Sequence, residues 1–373
     1  MKRRDFIQKI GLGTTAATFM GTLTSASSSR MTKNSPTLQS TDKKLGVALV
    51  GLGNYSNIQL APALLETQHC VLRGIVTGSP EKAAIWSQKY GIPKQNIYNY
   101  QNFDEIRNNP DIDIVYIVLP NSMHAEYTIR AAKAGKHVIC EKPMAMNPNE
   151  CEQMIKACKE ANVLLSVGYR LYFEPHHLEM RRFGTEKVHG TIRMMESGLG
   201  YNMADPTSWR LNKAMGGGGA IMDLGVYCVS GVRWTLGELP TEITAQGYKV
   251  NKTIFKDIYE MVMFQMSFPS GAISNSTTTY SSFIDKLYAT TEKERFGLMP
   301  AFGAGAATGM SVGVKIGFDK PKFQQIKQMD AFALNILEKT QPIASGEEGL
   351  IDMKIIEVIK QAADTGKSVK IVW

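Results

Sequence analysis

The sequence predicts an α/β protein with two domains: a parallel sheet covered by helices on both faces, then an α+β domain with a large, mostly antiparallel open sheet. Two observations carry this prediction. Apolar strand-like runs alternate with helix-like stretches over residues 44–167, which is typical of βαβ units. Over residues 168–373 several strand-like stretches follow one another without helices between them, which indicates antiparallel pairing.

The amino-terminal segment, residues 1–30, is predicted to be a twin-arginine-like signal peptide. The run KRR stands near its start, and no charge occurs between Lys9 and Arg30. A charged start, a weak apolar stretch and small residues are typical of export signals, and the arginine pair resembles the signal that exports folded proteins. The segment is too polar for a membrane span. A periplasmic location is therefore expected, and an ordinary Sec signal or an amphipathic tail is the alternative interpretation.

The net charge limits the classes of ligand that the protein can be expected to bind, and the cysteine content bears on the compartment in which it folds. The formal net charge is +8, and residues 1–30 contribute five positive charges and one negative, so the remainder carries +4. This mild excess suits anionic ligands, but no long stripe of Lys and Arg favours nucleic acid. The five cysteines lack C-x-x-C spacing, and Cys151 and Cys158 lie ~10 Å apart along a predicted helix, too far to pair. An unpaired set is compatible with folding in the reducing cytoplasm before export.

Residues 31–43 are polar and contain a proline, so they should form an extended arm before the first strand. In the first domain the strands are predicted over residues 45–50, 71–77, 112–119, 137–140 and 163–167, and the helices over 58–65, 80–90, 123–134 and 147–161. In the second domain the strands are predicted over 188–196, 242–250, 261–268, 272–280 and 368–373, and the helices over 174–183, 220–236, 321–339 and 345–365. Ser345 with Glu348 three residues later is a candidate capping box for the last helix.

The turn after the first strand is a candidate phosphate-binding loop. Gly51 and Gly53 let the backbone turn sharply and approach a ligand, and the next helix presents free N–H groups and a positive dipole end to a pyrophosphate. With Ser56 they form G-x-G-x-x-[small], a dinucleotide fingerprint with Ser in its third position. Glycine pairs also form ordinary turns, so this motif alone does not exclude a simple structural turn.

The end of the second strand predicts which dinucleotide is bound. A carboxylate there normally holds the adenosine ribose, but this strand runs into Thr77-Gly78-Ser79-Pro80-Glu81-Lys82, with no acid at the turn itself. Hydroxyl groups and a lysine can accept a 2′-phosphate, which a carboxylate would repel. These residues therefore predict NADP, with NAD as the alternative cofactor and a plain turn with a solvated lysine as the alternative structure.

Two further predicted strands end in loops that contain candidate functional residues. These loops are the Leu119 to His124 stretch and Glu141-Lys142-Pro143. Ligands of open α/β sheets bind at the carboxyl ends of the strands. A lysine fixed there, near an oxidised nicotinamide, can hydrogen-bond a sugar hydroxyl and help it lose a proton. A solvated loop and a helix-capping His124 would be the purely structural interpretation.

The last cluster joins Trp209-Arg210, the glycine run at 216–219, Asp223 and Tyr227. The last two are four residues apart and share one face of a predicted helix. Tyrosine is a poor base at its reference pKa of about 10, but it becomes a credible one beside a lysine ammonium. A helix start with a packed aromatic side chain would explain the same residues structurally. No metal site is predicted, because adjacent histidines such as His176 and His177 cannot converge on one ion from a helix.

Together these stretches resemble the Gfo/Idh/MocA oxidoreductases, and within that family the glucose–fructose branch most closely. The resemblance covers residues 45–373, and the E-K-P segment followed by D-x-G-x-Y is its most specific part, whereas the glycine turn is generic. The other matching segments are IYNYQNFDEI at 97–106, LPNSMHAEY at 119–127, GYR at 168–170, SWRLNKAMGGGG at 208–219 and GEEGLIDM at 346–353.

The resemblance implies a Rossmann NADP-binding domain and a second domain whose open sheet forms a dimer or tetramer. It implies that Lys142 is the active-site lysine, Asp223 the acidic residue beside the sugar and Tyr227 the acid/base. Tyr at 227, where many members carry His, supports the glucose–fructose branch, and Thr77, where that branch tends to have Ser, is a mild departure. The predicted cofactor contacts are Gly51, Leu52, Gly53, Asn54, Tyr55, Ser56, Thr77, Gly78, Ser79, Lys82, Tyr100, Leu119, Pro120, Asn121, His124, Glu141, Lys142, Arg170, Trp209 and Arg210.

The predicted function is that of an exported pyranose oxidoreductase with a tightly bound NADP. The periplasm offers no nicotinamide pool, so a cofactor loaded before export must be regenerated in place. This favours oxidation of one sugar to a lactone coupled to reduction of a ketose or aldose to a polyol, with the arm, residues 31–43, covering the cofactor. Three competing functions are a redox-assisted glycosidase or epimerase, a dehydrogenase with a dissociable cofactor, and a non-catalytic cofactor-binding sensor.

Overall fold

The computed structural model describes residues 44–305, 307–311, 314–319 and 322–373. The predicted signal peptide and arm, residues 1–43, lie outside the described residues. In the described part of the chain, two sheets with helices packed against them form the core. The predicted fold class is therefore confirmed.

The first sheet is parallel throughout. Its strands are β1 Leu45–Val50, β2 Cys70–Val76, β3 Ile97–Tyr98, β4 Ile114–Ile117, β5 His137–Cys140 and β6 Leu165–Val167. Their order in the sheet is β3-β2-β1-β4-β5-β6. Because helices cover both faces, every residue of β1 and β4 is buried, as expected for continuous apolar strands. The strand order reverses between β1 and β4, which opens a crevice at the carboxyl ends of these two strands.

The helices around this sheet begin and end where local chemistry favours it. They are α1 Ala61–Leu64, continuous with the π-helical turn Ser56–Leu60, α2 Pro80–Tyr90, α3 His124–Lys133 and α4 Pro148–Glu160. The hydroxyl of Ser79 accepts from the Lys82 N–H at the start of α2, and Asn147 caps α4 in the same way. Helix α2 ends at Gly91, whose φ of +65° suits a left-handed C-cap.

The second sheet is mostly antiparallel. Its strands are β7 Ile192–Gly200, β8 Glu242–Tyr248, β9 Met261–Ser267, β10 Ile273–Thr279, β11 Ile284–Thr291, β12 Arg295–Leu298, β13 Gly309–Ser311, β14 Val314–Ile316 and β15 Val369–Lys370. Their order is β14-β13-β12-β11-β7-β10-β9-β8-β15. Only the central pair β7 and β10 is parallel among the described pairings. The carboxyl ends of these two strands therefore meet at one edge of the sheet.

Helices cover one face of this second sheet. The remaining helices are α5 Pro175–Thr185, α6 Lys213–Gly216, α7 Val226–Leu236, α8 Gln325–Glu338 and α9 Gly346–Thr365. Of these, α5, α7 and α9 pack against this sheet, whereas α8 packs against α1 and β2 of the first domain. Helix α7 is buried along almost its whole length, because it lies among the sheet, α5 and α9. Its Arg233 guanidinium contacts the Asp352 carboxylate of α9 at 2.9 Å, which fixes the two helices together.

Along the strands of the second sheet exposed residues alternate with buried ones, so the other face of the sheet is open. Met263 of β9 is 47% exposed and Ile273 of β10 is 46% exposed, while Gln265 and Asn275 beside them bond each other on the same face. An uncovered face that mixes apolar and polar side chains is suited to a protein partner.

Strand β7 and its neighbours differ from the prediction. The strand was expected over residues 188–196 but begins at Ile192, because Gly190, with a φ of +97°, turns the chain just before it. Strands β11 to β14 and the short β3 were not predicted. The run from Ile284 to Ile316 mixes glycines, charges and short apolar stretches, so it lacks a sustained alternation that a sequence pattern can reveal.

The predicted capping box at the start of α9 is wrong. The Ser345 side chain makes no capping hydrogen bond. The Glu348 carboxylate instead accepts from the Arg233 guanidinium at 2.8 Å and from the Tyr172 hydroxyl at 3.1 Å. A charged donor binds a carboxylate more strongly than a backbone N–H does, so the tertiary contact prevails.

All five cysteines are free and buried. Their spacing in the sequence predicted that they would not pair. Cys151 and Cys158 lie on α4 and face the core of the first domain. Cys70 starts β2, Cys140 ends β5 and Cys228 lies in α7. The protein core therefore holds its thiols without disulfides.

Candidate active site

The turn after β1 is shaped by its glycines and closed by a serine. Gly51 has a φ of +96°, and an added Cβ would lie 2.5 Å from the Val118 carbonyl oxygen. Only glycine fits such a position. The buried Ser56 hydroxyl donates to the Gly51 carbonyl oxygen at 2.6 Å, so the third fingerprint position locks the turn onto the first helical turn.

Gly53 differs from Gly51, because a Cβ built on it meets nothing within 4 Å. It stands at the start of a helical turn whose first N–H groups have no intrahelical acceptor. Leu52 is buried and anchors the turn, Asn54 is exposed and Tyr55 is half-buried. An open glycine at a helix N-terminus is the cradle that a dinucleotide pyrophosphate needs, and these residues fit such a cofactor.

Replacing Gly53 by Val should abolish dinucleotide binding without unfolding the protein. The added side chain has open space in the protein alone, but it would fill the place where a pyrophosphate approaches the backbone. Cofactor content after purification and the unfolding temperature of the cofactor-free protein measure the two effects. Gly51→Val is the matched control, since it should lower the unfolding temperature; equal cofactor content in Gly53→Val and parent would refute the cradle.

The end of β2 presents the residues predicted for the 2′-phosphate. The Thr77 hydroxyl accepts from the Ser79 N–H at 3.2 Å, and the Ser79 hydroxyl accepts from the Lys82 N–H at 3.2 Å. Lys82 is exposed, and the Tyr100 ring lies 3.1 Å from a Cβ built on Gly78. No carboxylate lies in the turn itself, residues 77–79, although Glu81 follows in the first turn of α2 beside Lys82.

The double substitution Thr77→Asp and Lys82→Ala should turn cofactor preference toward NAD. It adds a charge that repels a 2′-phosphate and removes one that attracts it. Binding of NADP and NAD to cofactor-free protein, measured separately by calorimetry, gives the ratio of the two affinities. Lys89→Ala, on the same helix but in its last turn, is the control. A parent protein that already prefers NAD would overturn the idea.

The loops after β4 and β5 are tied together by buried polar side chains. The two ring nitrogens of His124 lie 2.9 Å from the carbonyl oxygens of Leu119 and Pro143, and burial lowers the pKa of this imidazole. The Asn121 amide donates to the Gly216 carbonyl oxygen at 2.9 Å, which joins the loop that Pro120 opens to the glycine run of the second domain. Burial raises the pKa of Glu141; its carboxylate accepts from the Tyr116 hydroxyl at 2.7 Å. These side chains hold the loops that frame the crevice.

Lys142 reaches from the first domain to the second. Its ammonium donates to the Asp223 carbonyl oxygen at 3.0 Å and to the Asp223 carboxylate at 3.2 Å. Burial opposes ionisation of this carboxyl, but the Lys142 ammonium and the Arg210 guanidinium outweigh it and hold the pKa of Asp223 below its usual range. Burial also opposes the charge on Lys142, whose pKa is nevertheless raised by the neighbouring Tyr227 and Asp223. Both groups are therefore ionised at neutral pH.

Asp223 has further partners that the sequence did not reveal. Its second carboxylate oxygen accepts from the Tyr280 hydroxyl at 3.1 Å and the Tyr201 hydroxyl at 3.5 Å, and lies 3.2 Å from Arg210 Nε. Tyr201 and Tyr280 directly follow β7 and β10, the parallel pair of the second sheet. Side chains beyond the carboxyl ends of parallel strands form sites, so recognising that pairing would have found them. The carboxylate acts as a fixed counter-ion.

Tyr227 lies one helical turn after Asp223, and the same lysine contacts both. The Lys142 ammonium is 4.6 Å from the centre of the Tyr227 ring. The Arg170 guanidinium is 5.3 Å from that centre, and one of its nitrogens lies 3.5 Å from the Tyr227 hydroxyl. The predicted shared face of Asp223 and Tyr227 is confirmed by these contacts. Trp209 is half-buried, with the Arg210 guanidinium 4.5 Å from its ring.

The arrangement suits proton transfer at a hydroxyl group. A lysine ammonium has three N–H groups, and the Lys142 contacts with Asp223 leave capacity for a substrate oxygen. The Tyr227 oxygen lies beside two cations; in its ionised form it can take a proton, and in its neutral form it can return one. The crevice at the β1 and β4 ends is adjacent, since Asn121 of its loop bonds Gly216 in the second domain.

The described residues offer little for other kinds of site. They contain no group of three or more His, Cys, Asp or Glu side chains placed to hold a metal. His176 pairs with Glu174 at 2.7 Å, and His177 contacts the Ala301 carbonyl oxygen at 2.9 Å. Over the same described ranges, the helices are too short or too polar to span a bilayer.

Comparisons with known proteins agree with this geometry. Residues 45–169 match the model of the Gfo/Idh/MocA oxidoreductases with an NAD-binding Rossmann fold, and residues 177–293 match the Gfo/Idh/MocA C-terminal domain. The crystal structure of aldose-aldose oxidoreductase from Caulobacter crescentus superimposes with a TM-score of 0.85 and 37% identity, covering 88% of this chain and 100% of that chain. The NADP(+)-dependent D-xylose 1-dehydrogenase of Haloarcula marismortui is 28% identical over 89% of this chain and 94% of that protein. The 1,5-anhydro-D-fructose reductase of Ensifer adhaerens is 28% identical over 80% of this chain and 90% of that protein.

Proposed function

The chain belongs to the Gfo/Idh/MocA family of NAD(P)-dependent oxidoreductases, and on this premise we propose that it oxidises one sugar and reduces another with a single tightly held NADP. The observation that carries the proposal is the Lys142 ammonium, which lies between the Asp223 carboxylate and the Tyr227 ring. A proton-transfer group thus stands beside the crevice that fits a dinucleotide.

The chemistry needs a hydride acceptor and a proton acceptor. A bound nicotinamide dinucleotide supplies the hydride acceptor. Tyr227 takes the proton of the anomeric hydroxyl while the C–H bond breaks and its electron pair leaves with the hydride, so a lactone forms. In the second half-reaction the carbonyl carbon of another sugar receives the hydride and Tyr227 returns the proton to its oxygen, so that this sugar becomes a polyol. Lys142 orients the reacting oxygen, and Asp223 keeps Lys142 in place.

The sugar class is supported by the relatives. One relative is named for D-xylose and one for 1,5-anhydro-D-fructose, and the structure that is 37% identical is named for two aldoses. A pair of aldoses makes the overall reaction redox-neutral. This supports the expectation that the cofactor is recycled in place, and aldoses are the first substrates to test.

Export, cofactor identity and assembly belong to the same proposal. The residues at the end of β2 favour NADP, and the D-xylose relative is named for it. The KRR run near the amino terminus favours the periplasm, where a retained cofactor would be needed. The open face of the second sheet, with Met263 and Ile273 exposed, is the surface we assign to a dimer or tetramer.

Purified protein incubated with two aldoses and no added cofactor tests the proposal. We expect equal amounts of lactone and polyol, and NADP in the supernatant after denaturation. Oxidation that depends on added NADP and stops without it would indicate a dehydrogenase with a dissociable cofactor. A cleaved glycoside would indicate a glycosidase, an epimer would indicate an epimerase, and no product from any sugar would favour a sensor. Tyr227→Phe protein is the control for contaminating activity.

A further inference from the structure

We propose that Arg170 is a positioning residue whose uncompensated positive charge stabilises the Tyr227 phenolate, while Lys142 is neutralised by Asp223 and serves mainly to orient the substrate. This inference rests on the proposed function for the role of Tyr227 as acid/base. It goes beyond that proposal, because it assigns the electrostatic assistance of Tyr227 to a different residue.

The surroundings of Arg170 are polar but almost free of negative charge. The residue is 4% exposed, and its guanidinium donates to the carbonyl oxygens of Phe302 and Gly303 and to the Gln324 side-chain oxygen. These neutral acceptors fix its position. The nitrogen that donates to the Phe302 carbonyl oxygen, Nη2, has a second N–H, and this nitrogen also lies 3.5 Å from the Tyr227 hydroxyl.

Among the described residues, no carboxylate lies within ion-pair distance of Arg170, whereas two other cations of the site each have one. Lys142 and Arg210 both contact the Asp223 carboxylate at 3.2 Å. The acid whose charge acts on Arg170 is Glu141; its carboxylate accepts from the Tyr116 hydroxyl, and burial raises its pKa. The titratable and charged groups that face Arg170 or Tyr227 are Tyr55, Glu141, Lys142, His177 and Asp223.

A buried charge without a counter-ion is costly, so its retention calls for an anion that forms at some stage of the reaction. The phenolate of Tyr227 is such an anion. When its oxygen accepts the proton of a sugar hydroxyl, one O–H bond breaks and one forms, and the charge beside Arg170 disappears. When the proton is returned, the charge reappears in the same place, and the fixed guanidinium needs no reorganisation.

Gln324 offers a way to test this without deleting Arg170. Gln324→Glu preserves the shape of the acceptor but places a carboxylate on the guanidinium, which neutralises the charge that Tyr227 experiences. We expect sugar oxidation by the holoenzyme at neutral pH to fall about 10-fold or more, and the deficit to shrink as the pH rises. Gln324→Met has the same length and no charge, and its pH–rate profile should follow the parent's. Identical profiles for the two variants would overturn the proposal.

Arg170 itself supplies the second test. Arg170→Gln should lower the rate by roughly 10²-fold, the size of loss seen when one preorganised donor is removed, and Arg170→Lys should recover most of it. In a Tyr227→Phe background the same Arg170→Gln change should have little further effect. A loss of equal size in both backgrounds, or no recovery with lysine, would mean that Arg170 is only structural.

A readout independent of turnover separates this inference from the proposed function. In protein labelled at the tyrosine Cζ carbon, the resonance missing from Tyr227→Phe belongs to Tyr227, and its titration midpoint should move to higher pH in Gln324→Glu than in Gln324→Met. If the parent protein turned over no pair of sugars, the proposed function would be wrong. The titration would still show whether the charge of Arg170 acts on Tyr227. An unmoved midpoint would contradict the role of Arg170.

Discussion

Replacing Tyr227 by Phe is expected to keep the fold and the cofactor and to lower sugar turnover by roughly 10²–10⁴, the usual contribution of a general acid or base. The ring remains to pack against Lys142 and Arg170, which lie 4.6 Å and 5.3 Å from its centre. Only the oxygen that takes the proton is lost. Initial rates of lactone formation, with NADP content measured on the same samples, give the result.

Tyr248→Phe is the control for this experiment. The Tyr248 hydroxyl bonds the Gln246 side chain on the open face of the second sheet, away from Lys142, so its loss should leave turnover close to the parent's. A Tyr227→Phe enzyme that worked within a few-fold of the parent would show that another group accepts the proton.

Replacing Asp223 by Asn should damage both activity and stability. The carboxylate is the shared counter-ion of Lys142 and Arg210, and removing one partner of a buried ion pair costs about 3–5 kcal/mol. Without it Lys142 is no longer held beside Tyr227, so turnover should fall as well. Denaturant unfolding and lactone formation measure the two effects.

The same substitution should change how stability depends on pH. The pKa of Asp223 in the folded protein lies below its usual value of 3.8, so its contribution to stability is present above that pH and is lost as the pH falls through the lower folded value. Asp223→Asn should therefore lower stability at neutral pH and less so in strong acid. Asp104→Asn is the control, because its ion pair with Arg130 is exposed and such pairs contribute about 0–1 kcal/mol. Equal losses in both variants would contradict the network.

The first domain could be predicted almost element by element. Its strands are short apolar runs with both faces buried, and the helices between them carry their own start and stop signals, such as Ser79 before α2 and Gly91 after it. Local chemistry and tertiary structure agree there. In the second domain the edge strands β11 to β14 depend on pairing partners that are distant in sequence, and a local pattern does not contain that information.

The candidate site likewise contains residues that a local sequence pattern predicts and residues that only the tertiary structure brings together. Lys142, Asp223 and Tyr227 were predicted because each ends a strand or shares a helix face within one short motif. Tyr201 and Tyr280 were missed because they meet only through the parallel pairing of β7 and β10. The contact of Arg170 with Tyr227 was missed for a related reason, since the guanidinium is aimed by carbonyl groups and a glutamine more than a hundred residues later. The predicted cofactor contacts stay predictions.

The five buried thiols link the lifetime of the protein to its unfolding rate. Burial raises the pKa of Cys70, Cys151, Cys158 and Cys228 to about 12, and the reactive form of a thiol is the thiolate. While the chain is folded, oxidants find neither access nor an anion. In an oxidising compartment, damage then requires that unfolding first expose a thiol. Where oxidation of the opened chain is irreversible and faster than refolding, the unfolding rate sets the lifetime of the protein.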